Sequence, residues 1–260
     1  MSSDYNQPMG ISFSTLLISR FLLITLLGAS CHAHSAELTI VTEHLPPLSY
    51  EEHGVVTGYS TEIVNAILRN ANLQAPIQVL PWARAYQLAQ TQANTLIFSM
   101  TRTKEREQEF VWIGPVSPRQ IHLYKLKSRK DIQIRAPADM RAYKIGLVRE
   151  MASSKELIRN VAIEDKHIDY APTVDSNMKK FLLGRVDLIV SQDWSAAYLM
   201  KTLGRHPDEL ESVLLLDNKH QYYLAMQKDT DPALLQRIRQ SFEKVQQSGL
   251  MERLRIKYMR

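Results

Sequence analysis

Cysteine is almost absent from this sequence of 260 residues, because Cys31 is the only one. It lies inside an apolar N-terminal segment, so the rest of the chain has no thiol and its fold needs no disulfide. A lipoprotein signal places a branched apolar residue three positions before its cysteine, whereas Gly28 stands there. Lipid attachment at Cys31 is therefore only weakly supported.

Several catalytic and nucleic-acid-binding patterns are also missing. The chain has no G-x-S-x-G, no H-E-x-x-H and no glycine-rich phosphate loop, and its histidines are scattered singly. No metal site and no cofactor are predicted. The formal net charge of +5 is spread along the chain, and no block of Lys and Arg is interleaved with aromatic residues. We expect a solvated basic surface and no nucleic-acid partner.

The first 36 residues are typical of a secretory signal peptide. The run "ISFSTLLISRFLLITLLGAS" carries one charged residue, Arg20, and is followed by the small residues of "CHAHSA". Its apolar core is too short to span a bilayer comfortably. We expect cleavage between residues 33 and 36. Translation from Met9 and a retained membrane anchor stay open as alternatives.

The remaining chain alternates strand-like and helix-like segments. In its first half, short apolar runs predict strands, and apolar residues at helical spacing predict helices. The strands are "ELTIVTE", "IQVL" and "TLIFSM", and the helices are "GYSTEIVNAILRNANL" and "PWARAYQLAQ". The alternation starts again after residue 122 with "YKIGLV", "SSKELIRNV", "DSNMKKFLLG" and "VDLIVS". This pattern predicts an α/β fold with parallel strands in two similar halves.

The order and spacing of these segments resemble the bacterial extracellular solute-binding proteins of family 3. The resemblance rests on "PPLSY", "GYSTEIVNAI", "PWARAY", "FSMTRTKERE", "WIGPV", "KIGLV", "GRVDLIV" and "SGLMERLRIKYM". It implies the two-lobe periplasmic binding protein fold (type II), with two crossing hinge strands near 122–126 and 222–226 and a ligand cleft between the lobes. The implied division is signal peptide 1–36, first part of lobe 1 at 37–122, lobe 2 at 123–225 and C-terminal part of lobe 1 at 226–260.

The resemblance also implies a function. The family contains periplasmic receptors that deliver polar amino acids to ABC importers. The expected partners are a small-molecule ligand, either an amino acid or a related carboxylate, and an inner-membrane ABC permease, and the expected state is a periplasmic monomer without enzymatic activity.

Two alternatives stay open. A few proteins of this fold are dehydratases of the arogenate and prephenate type, which need only a positioned acid or base, and Glu43, Glu150 or Asp193 can serve as one. The other alternative is a stand-alone ligand-sensing module.

Arg106 is the main candidate for ligand binding in the first lobe. Ligands bind at the carboxyl ends of strands in open α/β sheets, and "TLIFSM" delivers Ser99 and Thr101 to such an end. A guanidinium presents a planar fork of donors that matches a carboxylate. In the family, the arginine at this place binds the α-carboxylate of the amino acid. Arg102 and Lys104 compete for the role, and the spacing from the strand and to Phe110 and Trp112 matches the family best at Arg106.

Four further residues of the first lobe are candidates. Glu43 ends the first strand and faces the predicted cleft, Tyr50 and Trp82 can wall the cleft and stack on a ligand, and Arg84 offers a second anionic contact. The competing structural roles are a surface ion pair of Arg106 with Glu105 or Glu109, core packing of Trp82, and solvent exposure of Tyr50 and Glu43.

The second lobe departs from the family at two places. Its first turn is usually Gly-Ser-Thr-like, but "LVREMASSKEL" is longer and has no glycine, so Ser153 and Ser154 are the nearest equivalents. The acidic residue that binds the α-ammonium usually stands five positions after the aspartate of "GRVD". Gln192 stands there and Asp193 follows it. Either a one-residue bulge brings Asp193 into place, or the ligand is not a standard α-amino acid.

Overall fold

A computed structural model describes residues 38–258 of the protein, and the predicted signal peptide lies outside them. The strands are β1 (Thr39–Glu43), β2 (Tyr50–Glu52), β3 (Val55–Thr57), β4 (Ile77–Leu80), β5 (Thr95–Thr101), β6 (Phe110–Pro118), β7 (Ile121–Leu126), β8 (Ile145–Val148), β9 (Ile168–Ala171), β10 (Leu188–Gln192), β11 (Leu210–Asp217) and β12 (Gln221–Gln227). The α-helices are α1 (Tyr59–Asn70), α2 (Trp82–Thr91), α3 (Ala152–Val161), α4 (Val174–Leu182), α5 (Asp193–Thr202), α6 (Pro232–Gln247) and α7 (Leu250–Tyr258). Between residues 38 and 258, no helix has both the length and the apolarity that a bilayer span requires.

The first sheet has the strand order β4–β1–β5–β12–β6. Strand β1 runs parallel to β4 and β5, whereas β12 runs antiparallel to β5 and β6. Helices α1, α6 and α7 pack on one another beside this sheet, and the core there includes Ile40, Ile63, Phe98, Leu224 and Phe242. We call this sheet with α1, α2, α6 and α7 lobe 1.

The second sheet has the order β11–β7–β10–β8–β9. Strands β10, β8 and β9 are parallel, and β7 is antiparallel to β10 and β11. Leu123, Ile145 and Leu188 lie in the core on one side of the sheet, and Phe181 and Met200 lie in a second cluster with α4 and α5. We call this sheet with α3, α4 and α5 lobe 2.

The α/β fold with two sheets is confirmed, but parallel pairing is restricted to part of each sheet. The antiparallel strands β6, β7, β11 and β12 are those that carry the chain between the sheets. The chain leaves the first sheet between Pro118 and Ile121 and returns between Asp217 and Gln221. These points lie a few residues before the lobe boundaries predicted at 122 and 225, and the division into lobes stays a proposal.

Local sequence explains where the helices beside the cleft begin. Pro81 immediately precedes α2, and its fixed φ places Trp82 at the first helical position. Thr173 starts α4 with a capping box that it forms with Ser176. Gln192 starts α5 because its side-chain oxygen accepts a hydrogen bond from the N–H of Ser195 at 2.7 Å.

Candidate ligand-binding cleft

Six of the predicted site residues line one small cavity between the lobes. They are Glu43, Trp82, Ser99, Thr101 and Arg106 from lobe 1 and Ser153 from lobe 2. We call this space the inner cavity. Its volume is about 20 Å³, which is about the room of one water molecule. A solute of amino acid size therefore enters only when the lobes move apart.

Ser99 reaches the inner cavity through a β-bulge in β5. The pairing of β12 with β5 runs from Tyr223 opposite Met100 to Ala225 opposite Ile97, so one residue of β12 faces two of β5. Within this bulge Ser99 has φ +59°, a left-handed conformation that is uncommon for serine. The side chain is 1% exposed, and its hydroxyl has no hydrogen-bond partner in the part of the chain that the structure describes. Such strain is typical of functional sites.

Arg106 is a buried cation that forms no ion pair with the described residues. It is 5% exposed, and its Nη1 donates a hydrogen bond to the main-chain oxygen of Thr101 at 3.1 Å. Its guanidinium carbon lies 5.0 Å from the ring centre of Trp82 and 4.7 Å from that of Tyr86. Burial lowers the pKa of the guanidinium, while Tyr86 and the nearby Glu43 raise it. The alternative role of Arg106, a surface ion pair with Glu105 or Glu109, does not match this buried position.

Glu43 is a buried carboxyl at the end of β1. It is 6% exposed, and its carboxyl forms no hydrogen bond or ion pair within residues 38–258. Burial raises the pKa of Glu43 to about 8, an effect that Arg106 partly opposes. The neutral acid therefore predominates at neutral pH.

Lobe 2 closes the inner cavity with the first residues of α3. Met151, Ala152 and Ser153 line it. The indole N–H of Trp82 donates to the main-chain oxygen of Glu150 at 2.9 Å and so joins the two lobes beside the cavity.

Four residues that line the inner cavity were not predicted from the sequence: Arg119, Tyr222, Met151 and Ala152. Arg119 is almost completely buried and forms an ion pair with Asp217, which is also buried. The guanidinium carbon of Arg119 lies 5.8 Å from the ring centre of Tyr222, and burial raises the pKa of this tyrosine to about 12. In the sequence, Arg119 could have been recognised as a lone arginine that stands between two apolar runs at the predicted crossing.

Three predicted site residues lie elsewhere. Tyr50 packs against Tyr198 of lobe 2, with ring centres 5.2 Å apart. Arg84 is exposed on α2 and donates to the side chain of Gln87 at 3.1 Å. Ser154 is buried, and its hydroxyl donates to the main-chain oxygen of Val148 at 2.8 Å. None of the three lines the inner cavity, and their contacts with a ligand stay predictions.

Gln192 and Asp193 do not line the inner cavity either. The pairing of β10 with β7 continues without a register shift to Gln192 opposite Ile121, so the bulge that would move Asp193 is not present. Gln192 caps α5, and Asp193 is the first residue of that helix. Burial raises the pKa of the half-buried Asp193, although the N–H of Trp194 and the nearby His122 lower it.

A larger space, which we call the outer crevice, adjoins the inner cavity. It has a volume of about 530 Å³ and shares Arg106 and Ala152 with the inner cavity. Most of the carboxylates that line it already have partners. Glu105 pairs with Arg159 at 2.6 Å, Glu150 pairs with Lys155 at 2.6 Å, and Glu109 accepts a hydrogen bond from Tyr86 at 2.5 Å.

Two α/β lobes joined by two crossings, with polar residues converging between them, define the class of periplasmic binding proteins. The sequence profile of the bacterial extracellular solute-binding proteins, family 3, matches residues 38–260. The chain belongs to this family. A comparison with curated protein sequences gave no significant match.

Solved structures with the same fold have diverse functions. A histidine kinase sensor domain with similarity to periplasmic binding proteins has TM-score 0.75 and 16% identity, over 85% of this chain and 96% of that chain. The substrate-binding protein of an amino acid ABC transporter has TM-score 0.71 and 17% identity, over 85% of this chain and 99% of that chain. The ancestral amino acid-binding protein AncCDT-1, a precursor of cyclohexadienyl dehydratase, has TM-score 0.71 and 19% identity, over 86% of this chain and 96% of that chain. At these identities the likeness establishes the fold alone.

Proposed function

We propose that this protein is a periplasmic receptor that binds a small carboxylate solute between its lobes and delivers it to an ABC importer. The observation that carries the proposal is Arg106, a buried guanidinium without an ion pair among the described residues, at the cavity between the lobes. A buried charge is costly unless a partner compensates it. A carboxylate supplies that partner and matches the guanidinium with two parallel hydrogen bonds.

Family membership supports delivery to an importer, as does the fold shared with a substrate-binding protein of an amino acid ABC transporter. Export is supported by the apolar leader, which lies outside the described residues. Mass spectrometry of the protein from periplasm tests this part of the proposal. We expect an N-terminus between residues 34 and 37, and recovery of the full-length chain from cytoplasm would contradict export.

Arg106 is tested with three variants and calorimetric titration. A thermal-shift screen of amino acids and small carboxylates first supplies a ligand, since binding raises the melting temperature. Arg106→Ala should weaken binding by about thirtyfold or more, because it removes a desolvated, charge-assisted contact. Arg106→Lys should recover only part of the loss, because an ammonium has no planar fork.

The matched control is Arg69→Ala, since Arg69 is an exposed arginine of the same lobe and is not among the predicted ligand contacts. We expect it to change affinity by less than about threefold. Equal affinity of the wild type and Arg106→Ala would show that the carboxylate lies elsewhere.

A dehydratase is the second candidate, because Glu43 is a buried carboxyl that stays protonated at neutral pH. Such an acid can protonate a leaving hydroxyl, which departs as water while the electron pair of a neighbouring C–H or C–carboxylate bond forms the double bond and a proton or CO2 is released. Product analysis of every ligand from the screen distinguishes the candidates. A ligand that is recovered unchanged supports the receptor, and release of water with formation of a new double bond supports the enzyme.

A further inference from the structure

The charges of the residues around the inner cavity indicate what charge a bound solute has. Arg119 lines the cavity but is neutralised by Asp217. Glu43 is neutral at neutral pH, and Tyr222 is a phenol whose pKa lies far above that range. Arg106 is therefore the one cation lining this space that forms no ion pair with the described residues, so the cavity favours a solute with a single net negative charge.

A zwitterionic amino acid also needs an anion for its ammonium. From lobe 2, the inner cavity is lined by Met151, Ala152 and Ser153, and none of these side chains is acidic. The position where the family places an acidic residue holds Gln192, whose side-chain oxygen is occupied by capping α5. In the outer crevice, Glu105 and Glu150 are each paired with a basic residue, and Glu109 accepts a hydrogen bond from Tyr86. The fourth carboxylate there, Glu156, forms no ion pair with the described residues, but it does not line the inner cavity.

The following inference rests on the proposed function and specifies the substrate class of the same site. We propose that the solute is a carboxylate without an ammonium group, namely an oxo or hydroxy acid. Arg106 binds the carboxylate of the solute, and the neutral carboxyl of Glu43 donates a hydrogen bond to the oxo or hydroxyl oxygen of the solute. The hydroxyl of Ser99, which has no partner among the described residues, completes the polar lining.

If Glu43 instead binds the ammonium group of an amino acid, ligand affinity depends on pH in the opposite way. The positive charge of an ammonium would lower the pKa of Glu43, so binding would release the proton of Glu43 to solvent and the affinity of an amino acid would rise with pH. An oxo or hydroxy acid needs the protonated form, so its affinity falls as pH rises through about 8. The titratable groups that line the cavity with Glu43 are Arg106, Arg119 and Tyr222. Burial raises the pKa of Tyr222 to about 12, which lies above this range.

The experiment compares acids that share a carbon skeleton. Calorimetric titration is performed with pyruvate, lactate and alanine, with phenylpyruvate, phenyllactate and phenylalanine, and with 4-methyl-2-oxopentanoate, 2-hydroxy-4-methylpentanoate and leucine. In at least one set, we expect the oxo or hydroxy acid to bind at least about tenfold more tightly than the amino acid. For that acid, Glu43→Gln should weaken binding by only about three- to tenfold at neutral pH, because an amide still donates a hydrogen bond. The variant should also lose the decline in affinity through pH 8. Glu52→Gln, an exposed residue of β2, is the control.

Two other titration results would overturn the inference. Tighter binding of the amino acid, together with a loss of about thirtyfold or more in Glu43→Gln, overturns the inference and leaves the carboxylate receptor intact. Binding of no acid in the three sets by the wild-type protein overturns the proposed function and this inference together.

Discussion

Trp82 in lobe 1 donates its indole N–H to the main-chain oxygen of Glu150 in lobe 2, with a nitrogen–oxygen distance of 2.9 Å. The same indole ring lies 5.0 Å from the guanidinium carbon of Arg106. One side chain thus contacts Arg106, the proposed carboxylate ligand, and also forms a hydrogen bond with lobe 2. Closure and binding are therefore expected to depend on each other.

Trp82→Phe tests this dependence. The variant keeps an aromatic ring beside Arg106 but removes the hydrogen bond between the lobes. A hydrogen bond of this kind contributes about 0.5–1.5 kcal/mol, so we expect affinity to fall by about two- to tenfold. The closed form should also be less populated, which small-angle X-ray scattering detects as a larger radius of gyration with ligand present.

The control is Trp112→Phe. The indole N–H of Trp112 is buried without a hydrogen-bond partner among the described residues, so this change removes a ring of equal size and no bond between the lobes. Its affinity should stay close to that of the wild type. Equal effects of the two substitutions would mean that the Trp82 hydrogen bond does not contribute to closure.

Asp217→Asn tests the ion pair at the two crossings. Arg119 lies in one crossing, Asp217 ends the strand before the other, and both side chains are almost completely buried. Removal of one partner leaves an uncompensated buried charge, which costs about 3–5 kcal/mol. We expect urea unfolding to show a loss of this size in the free energy of unfolding.

Glu209→Gln provides the comparison, because Glu209 pairs with Arg205 on the surface. Exposed pairs contribute about 0–1 kcal/mol, so this variant should be nearly as stable as the wild type. A loss below about 1 kcal/mol for Asp217→Asn would show that the buried pair does not stabilise the hinge.

The sequence was sufficient to locate part of the inner cavity. An apolar run that ends in small polar residues predicts a strand end, and strand ends of a parallel sheet meet at one edge. Ser99 and Thr101 were found by this reasoning and Arg106 by the resemblance to the family, and the structure places all three at one cavity. Glu43 follows from the same rule, since it ends β1, the neighbour of β5.

The remaining features depend on contacts that are distant in sequence. The role of Arg119 is set by Asp217, 98 residues further along the chain, and no local pattern links the two. Gln192 and Asp193 were both candidates for the ligand site, and the capping of α5 by Gln192 depends on that helix beginning directly after it. The conformation of Ser99 depends on a register shift against β12 that neither strand reveals alone.

Ser99→Gly and Ser99→Ala together test whether the bulge in β5 is strained. Both variants lose the hydroxyl, so both should weaken ligand binding to a similar extent. Only glycine adopts φ +59° without a steric cost, so Ser99→Gly should be more stable than Ser99→Ala by about 1 kcal/mol. Thermal unfolding without ligand measures this difference, and equal melting temperatures would contradict strain at Ser99.

Glu43→Gln should change how stability depends on pH, even without ligand. The pKa of Glu43 is about 8 in the folded protein, against an ordinary value of 4.5. Between these two values the folded state holds a proton that the unfolded state has released. Stability that Glu43 contributes below pH 4.5 is therefore lost progressively as pH rises to about 8. The glutamine variant does not titrate, so this loss is absent from it.

The measurement is urea unfolding of both proteins at a series of pH values from about 5 to about 9. Relative to the wild type, Glu43→Gln should become steadily more stable up to pH 8, by a total on the order of 3 kcal/mol, and the difference should then level off. Other groups titrate in both proteins and cancel in this difference. Glu52→Gln, at an exposed position, should show no such trend. A stability difference between wild type and Glu43→Gln that is independent of pH would mean that Glu43 is ionised in the folded protein, and the neutral hydrogen-bond donor proposed for the inner cavity would not exist.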